Sequence, residues 1–116
     1  MAVLRIIYYL RGTRELGIVY RTSPACRLVA FADSCYAENK EDRPSVSGGI
    51  MLLAGGAVSW FSRTQHCVTL ISNESEYIAL VDVAREVGFF GKIVELLLPN
   101  RRRGPVTIFE DIDGGN

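Results

Sequence analysis

Read without any structure, this sequence predicts an α/β protein: a mixed sheet with at least one helix packed on it. Three observations carry that reading. Residues 27–33 form an apolar run of strand length. Two β-rich runs, 46–54 and 57–62, flank Gly55-Gly56 as the arms of a hairpin. Residues 73–98 then carry a long helical periodicity, followed by a last apolar run at 105–111. A helix lying between two strands predicts a right-handed crossover and a parallel strand pair.

Each element has its own signal. Residues 3–10 read as a short amphipathic helix, with Gly12 as its stop. Residues 17–24 read as a short extended piece ending near Pro24, and 27–33 as a buried strand. The polar stretch 34–45, which holds Pro44, reads as a loop. In the long helix Tyr77, Leu80, Ala84, Val87, Gly91, Val94 and Leu98 recur at steps of three and four, which predicts one buried face. Gly88 and Gly91 weaken it locally, and Pro99 ends it. Arg101, Arg102, Arg103 and Gly104 form a basic turn before the final strand. No internal repeat or low-complexity segment interrupts this order.

Composition sets the outer bounds. The 116 residues suit one domain, and a hydrophobic share of 48% is enough for a modest core. Thirteen basic residues balance thirteen acidic ones. That balance argues against gripping nucleic acid through bulk positive charge, while leaving room for a local basic patch. Cys26, Cys35 and Cys67 have no zinc-ligand spacing and read as reduced thiols of an intracellular protein. The apolar start, residues 1–9, is too short and too charged to span a bilayer, and no signal peptide is expected.

The chemistry-bearing candidates are acids. Asp33 and Asp111 stand at the carboxyl ends of apolar strands, and parallel neighbours would bring both to one sheet edge, where open α/β sheets bind ligands. Equally, Asp at such a position can simply mark a turn. Glu74 and Glu76 share the first turn of the long helix. At 100° per residue Glu76 lies roughly 40° from Leu80, toward the apolar stripe, and Glu74 roughly 120° away, toward solvent. Two accounts of an inward Glu76 stand side by side. Asn73 and Glu76 have capping-box spacing, or Glu76 shares a hard divalent cation with Asp33 and Asp111. His66, the sole histidine, reads as a surface or packing residue, and the paired glycines do not form a phosphate-binding loop.

Several motifs, in order and at fitting spacing almost end to end, resemble the ribonuclease H region of copia-type retrotransposon Pol polyproteins. Ser59-Trp60-Phe61-Ser62-Arg63-Thr64-Gln65, followed by Ser72-Asn73-Glu74-Ser75-Glu76-Tyr77-Ile78-Ala79-Leu80, resembles that family's S-W-x-S-[KR]-x-Q and S-[ST]-x-E-A-E-Y-x-A-L pattern. Ala32-Asp33-Ser34-Cys35-Tyr36-Ala37 resembles S-D-A-D-W-A, and residues 42–48 resemble D-R-K-S-T-S-G. Leu10-Arg11-Gly12-Thr13 resembles the L-K-G-T that follows the reverse transcriptase, and residues 106–111 resemble V-x-I-x-C-D.

The resemblance implies a ribonuclease H-like fold, with residues 1–20 as a linker and helix from the end of the reverse transcriptase region and 21–116 as a partial ribonuclease H-like domain. It implies that Asp33, Glu76 and Asp111 bind Mg²⁺ (or Mn²⁺) and catalyse cleavage of the RNA strand of RNA–DNA hybrids. It further implies the reverse transcriptase domain of the same polyprotein as a partner, no membrane, and a cytoplasmic virus-like particle or the nucleus as location. There are departures. Cys35 and Glu110 stand where the family has an aspartate and a cysteine, and the residues after Asp111 have drifted. The family continues with further strands, helices and a fourth acid, so a C-terminally truncated and weakly active fragment is expected. The rival expectation is a non-catalytic, degenerate remnant.

Overall fold

The computed structural model describes residues 1–21, 26–35, 44–66, 72–100 and 104–110. Helix α1 spans Ala2–Thr13. The strands are β1 (Leu28–Cys35), β2 (Val46–Leu53), β3 (Gly56–Thr64) and β4 (Thr107–Glu110), and helix α2 (Ser72–Leu97) lies between β3 and β4. The four strands form one sheet in the order β3-β2-β1-β4. β1 pairs antiparallel with β2, and β2 antiparallel with β3. β4 returns through α2 to lie parallel to β1. This is the mixed α/β sheet with a long helix packed on it, and the crossover makes the parallel pair as expected. The predicted extended piece at 17–24 has no regular structure over 17–21, and residues 22–25 lie outside the described residues, as does the basic turn at 101–103.

The β2–β3 hairpin turns one residue earlier than the paired glycines suggest. Leu53 pairs with Gly56, so the two-residue turn is Ala54-Gly55. Both have positive φ, 54° and 78°, as the tight turn matching the right-handed strand twist requires. Gly56 is instead the first residue of β3. A Cβ there would come within 2.6 Å of the Tyr20 ring, so its role is close approach rather than turning. Tyr20 also donates its hydroxyl to the Ala57 carbonyl at 2.6 Å, and the Arg21 amide donates to Ala54 at 2.9 Å. These contacts tie the segment after α1 to the hairpin.

Successive strand residues face opposite sides of a sheet. On one side Leu28, Ala30 and Ala32 of β1 and Met51 of β2 bury against Val83 and Val87 of α2, with Phe61, Phe90 and Ile108 around them. The small residues bring helix and sheet together. A Cβ on Gly49 would meet Phe61 Cε1 at 2.5 Å and Val83 Cγ2 at 2.7 Å.

This packing corrects the predicted helix face. The buried line of α2 is Ser75, Ala79, Val83, Val87 and Val94, whereas Tyr77, Ala84 and Leu98 are exposed. The helix is apolar around much of its circumference, with Val81, Phe89, Leu96 and Leu97 also exposed. Periodicity alone therefore leaves its rotation open, and the small residues of the sheet decide it. On the observed face Glu76 lies roughly 20° from Val83 and Glu74 roughly 180° away. Glu74 is exposed, and Glu76 is partly buried with its Oε2 shielded from solvent.

Candidate active site

The parallel pairing of β1 and β4 brings their carboxyl ends to one edge of the sheet, and the first turn of α2 sits against that edge. A buried polar cluster holds it there. The Gln65 side-chain amide donates to Ser47 Oγ at 3.0 Å and to the Ser75 carbonyl at 2.8 Å. The Gln65 backbone amide donates to the Ser45 carbonyl at 2.8 Å. Ser34 Oγ and Ser75 Oγ lie 3.0 Å apart. Gln65 is 3% exposed, and Ser47 and Ser75 are fully buried. The Gln65 side-chain NH₂ group finds acceptors here, whereas Gln65 Oε1 is buried with no hydrogen-bond partner among the described residues. The cluster links β1, β2, the end of β3 and the start of α2.

One residue beyond Ser75, the Glu76 carboxylate turns toward the sheet. It meets Glu110, the last described residue of β4. Val106, Ile108 and Glu110 all lie on the inward alternation of that strand. Glu110 Oε1 is buried and has no hydrogen-bond partner among the described residues. Its carboxyl is held above its ordinary value, first by burial and then by the negative charge of Glu76. Two acids with shielded oxygens therefore share one small region under the helix N-terminus.

The other predicted acids stand differently. Asp33 is exposed. Ala32 before it packs in the core and Ser34 after it touches Ser75, so Asp33 leaves β1 on the face away from α2. The last register pair of the parallel strands is Ala32 with Glu110, and Asp111 lies outside the described residues. Among the described residues no three His, Cys, Asp or Glu side chains form a group that could hold a metal ion. The structure thus brings together Glu76 and Glu110 and sets Asp33 at the rim of the opposite face. Glu110 was visible in the alternation Val106, Ile108, Glu110, which aims it inward. The partner it meets there, Glu76, is on another element.

The remaining candidates are peripheral. His66 is exposed; Cys26 and Cys35 are free thiols, and Cys67 lies outside the described residues. Arg63 pairs with Glu86 of α2 and stacks over Phe61 at 4.6 Å. Among the described residues no helix is long and apolar enough to cross a membrane.

No family model matches the chain, and no solved structure matches it. Curated proteins do. It is 38% identical over 85 residues to secreted RxLR effector protein 161 of Plasmopara viticola, covering 73% of this chain and 60% of that protein. It is 33% identical over 96 residues to the retrovirus-related Pol polyprotein from transposon TNT 1-94 of Nicotiana tabacum, covering 83% of this chain and 7% of the polyprotein. It is 30% identical over 111 residues to the corresponding polyprotein from transposon RE1 of Arabidopsis thaliana, covering 96% of this chain and 8% of that one. The chain therefore matches a small stretch of each polyprotein and somewhat under two thirds of the effector. Similarity to Pol polyproteins over most of its length supports an origin in the Pol region of a retrotransposon.

Proposed function

We propose that this chain is the ribonuclease H-type part of a retrotransposon Pol polyprotein, built for metal-dependent cleavage of the RNA strand in RNA–DNA hybrids. The observation that carries the reading is the position of Glu76. The order β1-β2-β3-α2-β4 sets the first turn of a long helix against the carboxyl ends of two parallel strands, and that turn directs an acid inward. The motifs around Asp33, Gln65 and Glu76 and the Pol relatives point the same way.

The residues fit a hard cation. Glu76 and Glu110 present shielded carboxylate oxygens to one region, and burial, followed by repulsion from Glu76, raises the Glu110 carboxyl. A divalent ion would relieve that repulsion, and oxygen-only donors suit Mg²⁺ or Mn²⁺. In this reading Asp33, Glu76 and Asp111 would hold the metal, which would supply the chemistry of water activation and leaving-oxygen stabilisation. The chain's own task is placement: the Gln65 cluster fixes the helix turn that carries Glu76, while Asp33 stands exposed at the rim of β1. The hybrid would be recognised by its A-like shape and 2′-hydroxyls rather than by sequence, with the reverse transcriptase domain as neighbour in the polyprotein.

The test is cleavage of end-labelled RNA in a hybrid duplex with Mg²⁺ or Mn²⁺, with Mn²⁺ binding followed by calorimetry. Cleavage that depends on metal and is lost in Asp33→Asn and Glu76→Gln is the expected result. Cleavage surviving in both variants would refute the site. Absence of both cleavage and metal binding would leave a non-catalytic remnant.

A further inference from the structure

Two residues beside the proposed metal acids touch each other across the fold. Ser34 follows Asp33 near the end of β1, and Ser75 precedes Glu76 in α2. Their hydroxyl oxygens lie 3.0 Å apart, although the residues are 41 positions apart in the chain. The bond therefore joins the two elements next to the points where they carry Asp33 and Glu76.

Neither hydroxyl is needed to fill the space. Ser75 is fully buried and Ser34 half-buried. The family pattern quoted above has alanine at both positions, within S-D-A-D and E-A-E. Alanine is smaller by one oxygen, and inside a helix it is the more favourable residue. Burying a hydroxyl also costs free energy unless a partner is found. Two serines facing one another exchange an apolar contact for a hydrogen bond, and such an exchange is nearly neutral for stability. What the bond adds is direction. It is satisfied over a narrow range of separation and orientation, whereas two methyl groups can slide past one another.

Direction matters at this place. Glu76 is the fifth residue of α2. The first amides of a helix have no partner within it, and helix ends fray. Residue 75 is gripped twice, by its hydroxyl from β1 and by its carbonyl from Gln65. The Gln65 bond holds the turn to the end of β3. The Ser34 bond ties it to the strand that carries Asp33. Strand residues alternate, so Ser34 facing α2 sets Asp33 at the rim of the other face. Any slip between the two hydroxyls changes the offset between Asp33 and Glu76.

We propose that Ser34 and Ser75 are positioning residues of the metal site: their hydroxyl bridge fixes the end of β1, and with it Asp33, against the turn of α2 that carries Glu76. This inference rests on the metal-binding reading given above.

The test measures Mn²⁺ binding to the 116-residue chain by calorimetry, beside the urea midpoint of each variant followed by circular dichroism. Glu76→Gln is the control for the metal reading itself. Wild type should bind Mn²⁺ and Glu76→Gln should lose it. Ser34→Ala, Ser75→Ala and the double variant should each weaken binding about tenfold, the low end for residues that orient metal ligands. The double variant's urea midpoint should fall by less than the two single losses added together, because an apolar pair then replaces the bond. Its Mn²⁺ affinity should stay low. That split separates positioning from support of the fold. Ser34→Thr keeps a hydroxyl and should bind Mn²⁺ within about twofold of wild type. Circular dichroism shows which variants fold, and Ser34→Cys, a weak donor of similar size, replaces Ser34→Ala if that variant does not. Alanine variants that bind Mn²⁺ within about twofold of wild type would overturn the proposal. So would an affinity that recovers in the double variant in step with stability, or a Ser34→Thr variant as weak as Ser34→Ala. If wild type and Glu76→Gln bind Mn²⁺ alike, or neither binds it, the metal reading itself has failed and the proposal falls with it.

Discussion

Replacing Gln65 with leucine tests whether the buried polar cluster holds α2 on the sheet. Leucine has similar bulk but cannot donate, so the change removes the bonds to Ser47 Oγ and to the Ser75 carbonyl while creating little cavity. Each such bond contributes about 1 kcal/mol net, and a buried hydroxyl left without its donor adds about 1 kcal/mol more. The added leucine surface returns part of that, so a net loss of about 2 kcal/mol is expected. Total stability for a domain of this size is on the order of 5–15 kcal/mol. The loss should therefore be plain in urea denaturation followed by circular dichroism, as a lower midpoint with an unchanged slope. A double-mutant cycle with Ser47→Ala isolates the side-chain bond, and its coupling energy should be about 1 kcal/mol. If Gln65→Leu changes stability by less than about 0.5 kcal/mol, or if the cycle shows no coupling, the cluster does not hold the helix and the reasoning fails.

Three further outcomes follow from packing, charge and backbone geometry. Gly49→Ala should destabilise the fold by about 1–3 kcal/mol, because its methyl group would meet Phe61 and Val83 at 2.5–2.7 Å; a thermal melt at wild-type level would show that the helix can move away freely. Glu110 has its folded carboxyl raised above the ordinary 4.5, so the folded state holds its proton more tightly than the unfolded state does. Its effect is therefore absent at pH below 4.5 and becomes a cost as pH rises through the raised value. Glu110→Gln should accordingly match wild type in acid and be the more stable protein at neutral pH; equal stability at both pH values would contradict the Glu76–Glu110 encounter. Ala54→Gly should leave stability unchanged or raise it by up to about 1 kcal/mol, because it relieves a positive φ of 54°; a clear loss in the same urea assay would mean that the turn is not under strain.

The order of elements, the antiparallel β1–β2–β3 meander, the parallel return of β4 and the extent of α2 were all legible in the sequence. They follow from periods of two and 3.6 residues, which neighbouring residues encode, and from the handedness that a strand–helix–strand connection imposes. Glu76 lies within roughly 40° of both the expected and the observed stripe and Glu74 far from both, so their inward and outward turns were legible whichever stripe is buried. Where the turn sits was not: the pair Gly55-Gly56 looks alike at both positions, and only the Tyr20 ring shows that Gly56 serves close approach while Ala54 takes the strained φ. The rotation of α2 was not legible either, because apolar residues surround the helix. Gly49, Ala30 and Ala32, distant in the chain, select Val83 over Ala84 as the contact. The meeting of Glu76 with Glu110 and the Gln65 cluster likewise depend on which strands become neighbours. Local pattern specifies what each segment is; which side chains share a low-dielectric space is decided when segments far apart in sequence pack together.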